Sequence, residues 1–380
     1  MAATVAGVHV GLNLVFLVPG RTGGMEIAAR ALIPALRDAA PGARFTAFVN
    51  REAAGVDLGV ESVVVPVAAS RRIEWVRGEQ SLLPGLAGRA ACDLVHSLGS
   101  TAPARGGFVR VTTIHDLNYR MVPGAHFGVR GLGMRILVPL AARRSARVIA
   151  VSEATRRDLV ERLGLVRERV DVVPHGIGPS SDAAPTGEPE LRARLRLDER
   201  PVVLSLSAKR PHKNLRGLLD ATARIPAERR PVLVLPGYPT PHEAELRAHA
   251  DMLGVADDVR FVGWVGDADV AGLLGLSAAF VFPSFYEGFG LPVLEAMAAG
   301  IPVACSNRSS LPEVAGGAAL LFDPDDAGSI AAAIERLLSD RAEAGRLREA
   351  GRRRAAEFTW ARAAELTLAS YERALRASGS

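Results

Sequence analysis

Short apolar runs alternate with stretches of helical period along the whole chain, the pattern of parallel α/β domains. Strands are predicted over Val8 to Leu14, Phe45 to Val49, Ser62 to Val65, Leu94 to His96, Val109 to Ile114 and Arg147 to Val151. The loop PGRTGGME then leads into a helix that runs to about Ala40. Ser152 suits the cap of a helix over Glu153 to Leu163, and Gly164 suits its end. Residues Pro174 to Glu190 lose all periodicity and are rich in Pro, Gly, Ser and Ala, as an interdomain link would be. A second alternation follows from a helix near Leu191. It has strands over Pro201 to Ser207, Pro231 to Pro236, Val259 to Val262 and Ala279 to Phe282, with helices over Leu215 to Arg224, His242 to Leu253 and Asp269 to Leu276. The segment Ile330 to Leu375 reads as helical, with Thr359 as the cap of the last helix. No short fixed period recurs, which excludes solenoids.

The chain turns on residues 281–302, VFPSFYEGFGLPVLEAMAAGIP. An apolar strand ends at Phe282, a Gly-rich loop follows, and Pro292 sits where a helix begins. A strand, loop and helix start offer free amides and a positive dipole to an anion. Glu287 in the loop and Glu295 in the helix bracket that site, able to accept hydrogen bonds from hydroxyls. Phosphate plus hydroxyls describes a nucleotide sugar; two solvated glutamates on a tight turn is the plainer alternative.

Composition narrows the class. A 48% hydrophobic, 23% charged chain of 380 residues has enough apolar material for two globular cores. The longest apolar stretch, Val270 to Pro283, is interrupted by Gly and Ser and is shorter than the ~20 residues a membrane span needs. The N-terminus VHVGLNLVFLVPG lacks a basic leader and reads as a first strand. Cys92 and Cys305 lie far apart without metal-ligand spacing, as in a reducing compartment, so a cytoplasmic location is expected. The net charge of +5 is uneven: from Arg120 to Val170 there are eleven arginines against four acids, among them Arg143, Arg144, Arg147, Arg156 and Arg157. This face is either solvated or a patch for anionic lipid on the inner membrane face or a phosphorylated acceptor. No aromatic-interleaved basic motif accompanies it, and no nucleic-acid partner is expected. The dinucleotide fingerprint G-x-G-x-x-G is absent from the chain.

The stretch EGFGLPVLEAMAAGIPV resembles the Glu-x7-Glu motif of glycosyltransferase family four, retaining enzymes of the GT-B fold. LNLVFLVPGRTGGME, TIHDLNY, VSEATRRDL, VVPHGI, LSAKRPHKNLRGLLDA, FVGWV and FDPDD match that family's landmarks in order, so the resemblance covers nearly the whole chain and is mannosyltransferase-like in style. It implies two Rossmann-like domains facing each other across a cleft. Residues 1–176 would bind the acceptor, 177–190 would link, 191–357 would bind the nucleotide sugar, and 358–380 would form a helix crossing back to the first domain. A helix docked on its own domain is the alternative. Closure of the domains on donor binding is expected, because the implied site draws on both halves and the link is Pro- and Gly-rich.

The resemblance places Lys213 on the donor diphosphate, Glu287 with the amides of Gly288, Phe289, Gly290 and Leu291 on the donor sugar, and Glu295 on the ribose hydroxyls. His115 would contact the sugar near the reaction centre, with Asp116 fixing the loop beside it. Gly23 and Gly24 would let the backbone approach phosphate or acceptor. Relatives carry an arginine where this chain has Ser207, so the second positive charge falls to Arg210 or Lys209, with Arg210 preferred. The main chain near Val262 would pass the nucleobase. Asp267-Ala268-Asp269 and Asp323-Pro324-Asp325 formally match a metal-binding Asp-x-Asp, but both are read as loops, and neither a metal nor another cofactor is expected. The implied reaction moves a hexosyl group of the mannose or glucose type, with retention, from a GDP- or UDP-hexose to a glycan, lipid-linked or small-molecule acceptor. Glycoside hydrolysis by the two glutamates and a non-catalytic sugar-nucleotide-binding subunit are the rival readings.

Overall fold

The computed structural model describes residues 5–122, 129–178 and 184–378. Residues 179–183 of the expected link therefore lie outside the described residues. The chain divides into two compact units, one of Met1–Arg120, His126–Gly178 and Phe358–Ser380, the other of Met121–Ala125 and Pro179–Glu357.

In the first unit, strands β1 (His9–Leu14), β2 (Arg44–Val49), β3 (Glu61–Val64), β4 (Leu94–Ser97), β5 (Val109–Ile114), β6 (Arg147–Ala150) and β7 (Val170–Val172) form a parallel sheet in the order β3-β2-β1-β4-β5-β6-β7. In the second, β8 (Val202–Leu204), β9 (Val232–Leu235), β10 (Val259–Phe261), β11 (Ala279–Phe282), β12 (Val303–Ser306) and β13 (Leu320–Phe322) form a parallel sheet in the order β10-β9-β8-β11-β12-β13. The central strands are buried along their length, which explains the unbroken apolar runs of β9 and β11, while β1 also buries His9 and Asn13. Each sheet has one point where the strand order reverses, β1 beside β4 and β8 beside β11, where a crevice opens at the carboxyl ends.

Most expected elements form close to their expected bounds. Ser152 accepts the Thr155 amide through Oγ at 3.0 Å, and Gly164 closes the same helix with left-handed backbone. Four features differ. Strand β7 has no apolar run to announce it, because Asp171 occupies its middle; there it forms a bidentate pair with Arg147 of β6. The helix expected near Leu191 starts earlier, at Glu188, with Pro189 in its first turn. Asp267 and Asp269 occupy not a loop but the first turn of helix Asp267–Leu276, where the helix dipole favours acids. The C-terminal helical stretch is three helices, restarted at Asp340, whose carboxylate accepts the Glu343 amide, and at Thr359, which accepts the Arg362 amide.

The last helix, Trp360–Ser378, packs into the core of the first unit. Its Ala363, Leu368 and Tyr371 join Leu12, Leu14, Ile33 and Leu36 in one apolar cluster. Tyr371 is fully buried, and its hydroxyl bonds His96 Nδ1 at 2.7 Å, while His96 Nε2 meets Thr113 Oγ1 at 2.7 Å. Ser370 donates to Asp171 and Arg373 pairs with it at 3.0 Å, so the helix is fastened to both middle and edge strands. Deleting the Tyr371 ring empties this core: Tyr371→Ala should destabilise the protein by about 3–5 kcal/mol. Tyr371→Phe, which strips the partner from a buried imidazole, should cost about 1–3 kcal/mol. Denaturant unfolding checks both, and an unchanged midpoint for the alanine variant would show that the helix is dispensable to the core.

Candidate active site

The site is built where β8 lies beside β11. The loop after β8 closes in a single turn, Pro211–Lys213, followed by Asn214 in left-handed backbone. Asn214 caps helix Leu215–Arg224 through the Gly217 amide and donates to the carbonyl of Pro324, which fixes Lys213 at the helix start. From the other side, the loop after β11 carries Glu287. The two side chains meet: Lys213 Nζ donates to Glu287 Oε1 at 2.7 Å, with only 18% and 13% of their surfaces exposed. The ammonium also lies 5.5 Å from the centre of the Phe282 ring, within cation–π range.

Helix Leu291–Ala298 begins beside this pair, with Gly290 as its cap and no side chain capping its amides. Gly290 needs to be glycine: its φ is +114°, and a Cβ there would come within 2.7 Å of Leu311. The loop is held from below by residues the sequence reading did not single out. Ser309 Oγ accepts the Glu287 amide at 2.8 Å, with its own backbone in the left-handed region. Ser310, wholly buried, shares its hydroxyl proton between the carbonyls of Glu287 at 3.0 Å and Phe289 at 2.6 Å. Gly288 and Phe289 are themselves buried, so the loop presents main chain more than side chain.

Glu295, half-buried in the helix, has no hydrogen-bond donor among the described residues. Burial pushes its carboxyl up to about 7, with the negative charge of Asp267 adding to the effect. An acid held at that poise in a polar crevice is a common mark of a ligand-binding group. Arg210 is exposed at the mouth of the β8 loop. Lys209 is not available to a phosphate: its side chain is wholly buried and its ammonium donates to the carbonyls of Gly237 at 2.7 Å and Val262 at 2.5 Å. Val262 thus bonds Lys209 through its carbonyl and Leu235 through its amide, within the unit. The exposed group of that segment is Trp264.

His115 ends β5 in the first unit. Its Nε2 bonds the carbonyl of Leu98 at 2.7 Å, which requires the proton on Nε2 and leaves Nδ1 to accept from His175 Nε2 at 3.3 Å. The rings stack at 5.3 Å, and burial holds both below the ordinary histidine range, so both are neutral near pH 7. Asp116 accepts both nitrogens of Asn118 and so fixes the turn that follows. Gly23 caps helix Gly24–Ala39, and its carbonyl accepts the amides of Glu26 and Ile27. Where β1 meets β4, the buried carboxyl of Glu79 accepts from Asn13 at 2.9 Å, Thr101 at 2.8 Å and Gln80 at 3.1 Å. Gln80 in turn bonds Ala102 and Ala104, steadying the loop from Leu98 onward that grips His115. Glu79, His175, Ser309 and Ser310 carried no local signal, since each acts on residues distant in sequence.

Of the arginines on the basic face, Arg147 and Arg156 are held in pairs with Asp171 and Glu153, while Arg143, Arg144 and Arg157 are exposed. Arg308 pairs with both Asp323 and Asp325, so those acids face an internal cation. Among the described residues no group of three or more His, Cys, Asp or Glu is arranged to hold a metal, and no helix is long and apolar enough to cross a membrane.

The chain is similar to known proteins. Residues 187–354 match the family model for glycosyl transferases group 1, and residues 22–181 match that for glycosyltransferase family 4. The chain is 33% identical over 267 residues to the O-antigen chain mannosyltransferase B of Escherichia coli, covering 69% of this chain and 70% of that one. It is 33% identical over 309 residues to the MMP alpha-(1->4)-mannosyltransferase of Mycolicibacterium hassiacum, covering 76% and 73%. The sucrose-phosphate synthase of Thermosynechococcus elongatus shares the fold at a TM-score of 0.78 and 22% identity, over 96% of this chain and 98% of that one. The fold is GT-B, and the chain belongs to the group 1 glycosyltransferases of family 4.

The serine clamp under the Glu287 loop is open to test. Ser310→Ala leaves two loop carbonyls without their donor and should cost about 1–3 kcal/mol. A urea midpoint equal to wild type would show that the loop holds its shape unaided.

Proposed function

We propose that this glycosyltransferase moves a hexosyl group of the mannose type from a nucleoside-diphosphate sugar, GDP- or UDP-linked, to an acceptor hydroxyl with retention of configuration. The observation that carries the reading is the Lys213–Glu287 pair at the start of an uncapped helix, in the crevice where the second sheet reverses its order. Lys213 neutralises the departing diphosphate together with the helix amides, where a positive group is strong because water is scarce. Glu287 exchanges its ammonium partner for hydroxyls of the donor sugar, Glu295 takes the ribose hydroxyls, and the nucleobase lies along residues 261–264. The first unit, with Gly23 and Gly24, takes the acceptor. The chemistry needs no metal, because the cations and dipoles that stabilise the leaving group come from the chain. The mannosyltransferase relatives support the sugar class, and the O-antigen chain enzyme among them supports a glycan acceptor. Exposed Arg143, Arg144 and Arg157 support peripheral contact with an anionic membrane face. Co-sedimentation with anionic but not neutral vesicles checks that contact, and equal partition would refute it.

The activity is tested by incubation with nucleotide sugars and following acceptor-dependent release of nucleoside diphosphate. GDP-mannose should be turned over, whereas release that ignores acceptor would point to hydrolysis. Lys213→Ala and Glu295→Ala should each lower kcat/KM at least ~100-fold. Near-normal turnover in either variant removes that residue from the site. The carboxylate, not the acid, accepts a hydroxyl proton, so Glu295 gives nucleotide affinity a component that grows as pH rises through about 7. Isothermal titration should show this component in wild type and lose it in Glu295→Gln; identical profiles would place the ribose elsewhere.

A further inference from the structure

Lys209 is a lysine with no exposed side-chain surface, a placement that costs free energy unless its charge is matched. Its nearest carboxylate, Glu243 Oε2, stands 3.9 Å away, and the other oxygen of that group is held by Arg247 at 2.7 Å. Burial pushes Lys209 down to about 8 despite Glu243, so the ammonium is held chiefly by carbonyls. Those carbonyls belong to Gly237 after β9 and Val262 at the end of β10, while Lys209 itself follows β8. The same three loops are cross-tied along their backbones. Lys209 N donates to Tyr238 O at 3.3 Å, Gly237 N donates to Gly263 O at 3.0 Å, and the Thr240 hydroxyl donates to Lys209 O. They approach so closely that a Cβ on Gly237 would lie 2.0 Å from the Ser207 carbonyl oxygen. What they carry outward is an aromatic pair: Tyr238 and Trp264, ring centres 6.4 Å apart and tilted by 33°, with Trp264 60% exposed.

We propose that Lys209 is a positioning residue for the nucleotide, holding the loops after β8, β9 and β10 as one seat on which the nucleobase rests against Tyr238 and Trp264. This rests on the nucleotide-sugar reading given above. The seat stands at the same carboxyl edge of the sheet as Lys213 and Glu287 but is a separate device: Lys213 meets the phosphates, whereas Lys209 meets only the protein. A buried ammonium suits the task, since its three N–H groups can gather carbonyls from more than one loop at once.

The test separates base seat from phosphate cradle. Lys209→Met is compared with wild type for binding of GDP and UDP by titration, and for inhibition of transfer by inorganic pyrophosphate, which reads the cradle alone. Expected in the variant are at least ~10-fold weaker nucleoside diphosphate binding and a raised donor KM, with kcat at saturating donor and pyrophosphate inhibition within about threefold of wild type. Adding Trp264→Ala should weaken binding no further than Lys209→Met alone, because both act through one seat. A folded Lys209→Met that binds nucleotide normally, or that loses pyrophosphate inhibition equally, overturns the proposal. If Lys209→Met fails to fold, Lys209→Arg takes its place: a folded arginine variant with the selective nucleotide defect supports the seat. An arginine variant that binds normally, or that also fails to fold, overturns the proposal. Wild type that binds no nucleoside diphosphate would instead sink the nucleotide-sugar reading itself, a result distinct from any of these.

Discussion

The contact between Lys213 and Glu287 is the constraint on which the second unit's site depends. An ion pair so little exposed gains from a weak dielectric but loses the hydration of both charges, and it holds only where the backbone fixes both partners. Here the fixing is thorough. Asn214 locks the turn that carries Lys213, and the adjoining serines Ser309 and Ser310 lock the loop that carries Glu287. The reversal of strand order between β8 and β11 is what brings those two loops to a common crevice. A pair assembled this way is also easily traded: an anion can take the ammonium, and hydroxyls can take the carboxylate, without moving the main chain.

Both units solve the same problem with a buried ionisable group, an acid in one and a base in the other. Loops leaving the carboxyl edge of a parallel sheet have no neighbouring strand to satisfy them, and their shape must come from side chains. In the first unit a buried carboxyl, Glu79, collects donors from Asn13, Thr101 and Gln80. In the second a buried ammonium, Lys209, collects acceptors from Gly237 and Val262. Glu79 is held by amide and hydroxyl donors, and Lys209 by two carbonyls with Glu243 3.9 Å away. Each adds rigidity beside the place where a ligand is expected.

How far the sequence was legible follows from how local each signal is. Val109–Ile114, Leu215–Arg224 and Ala279–Phe282 were readable to the residue, because an apolar run or an amphipathic period ends sharply at a turn. The caps Ser152 and Thr359 were readable because a hydroxyl three residues before an amide is itself a local arrangement. Strand β7 was not, since Asp171 interrupts it and is satisfied by Arg147 and Arg373 from other elements. The candidate residues Lys213, Glu287 and Glu295 of the second unit and His115 of the first each stand in a motif that the sequence displays. The supporting residues were not legible: Lys209 reaches a carbonyl 53 positions away, and Asn13 reaches Glu79 over 66. In the choice between Arg210 and Lys209, spacing along the chain could not show that one lysine had turned inward.

Glu295 shows why such sites are recognisable in physical terms. A half-buried acid with no donor among the described residues and a negative neighbour in Asp267 is poorly placed for stability, and burial raises its carboxyl toward neutrality to ease that cost. Nothing in the packing of helix Leu291–Ala298 requires an acid there, since its buried face is already made by Val293, Leu294, Ala296 and Met297. An alanine or glutamine would serve the helix as well and the fold better. The poise of a carboxyl so placed is accounted for by burial and the charge of Asp267, not by any demand of the helix.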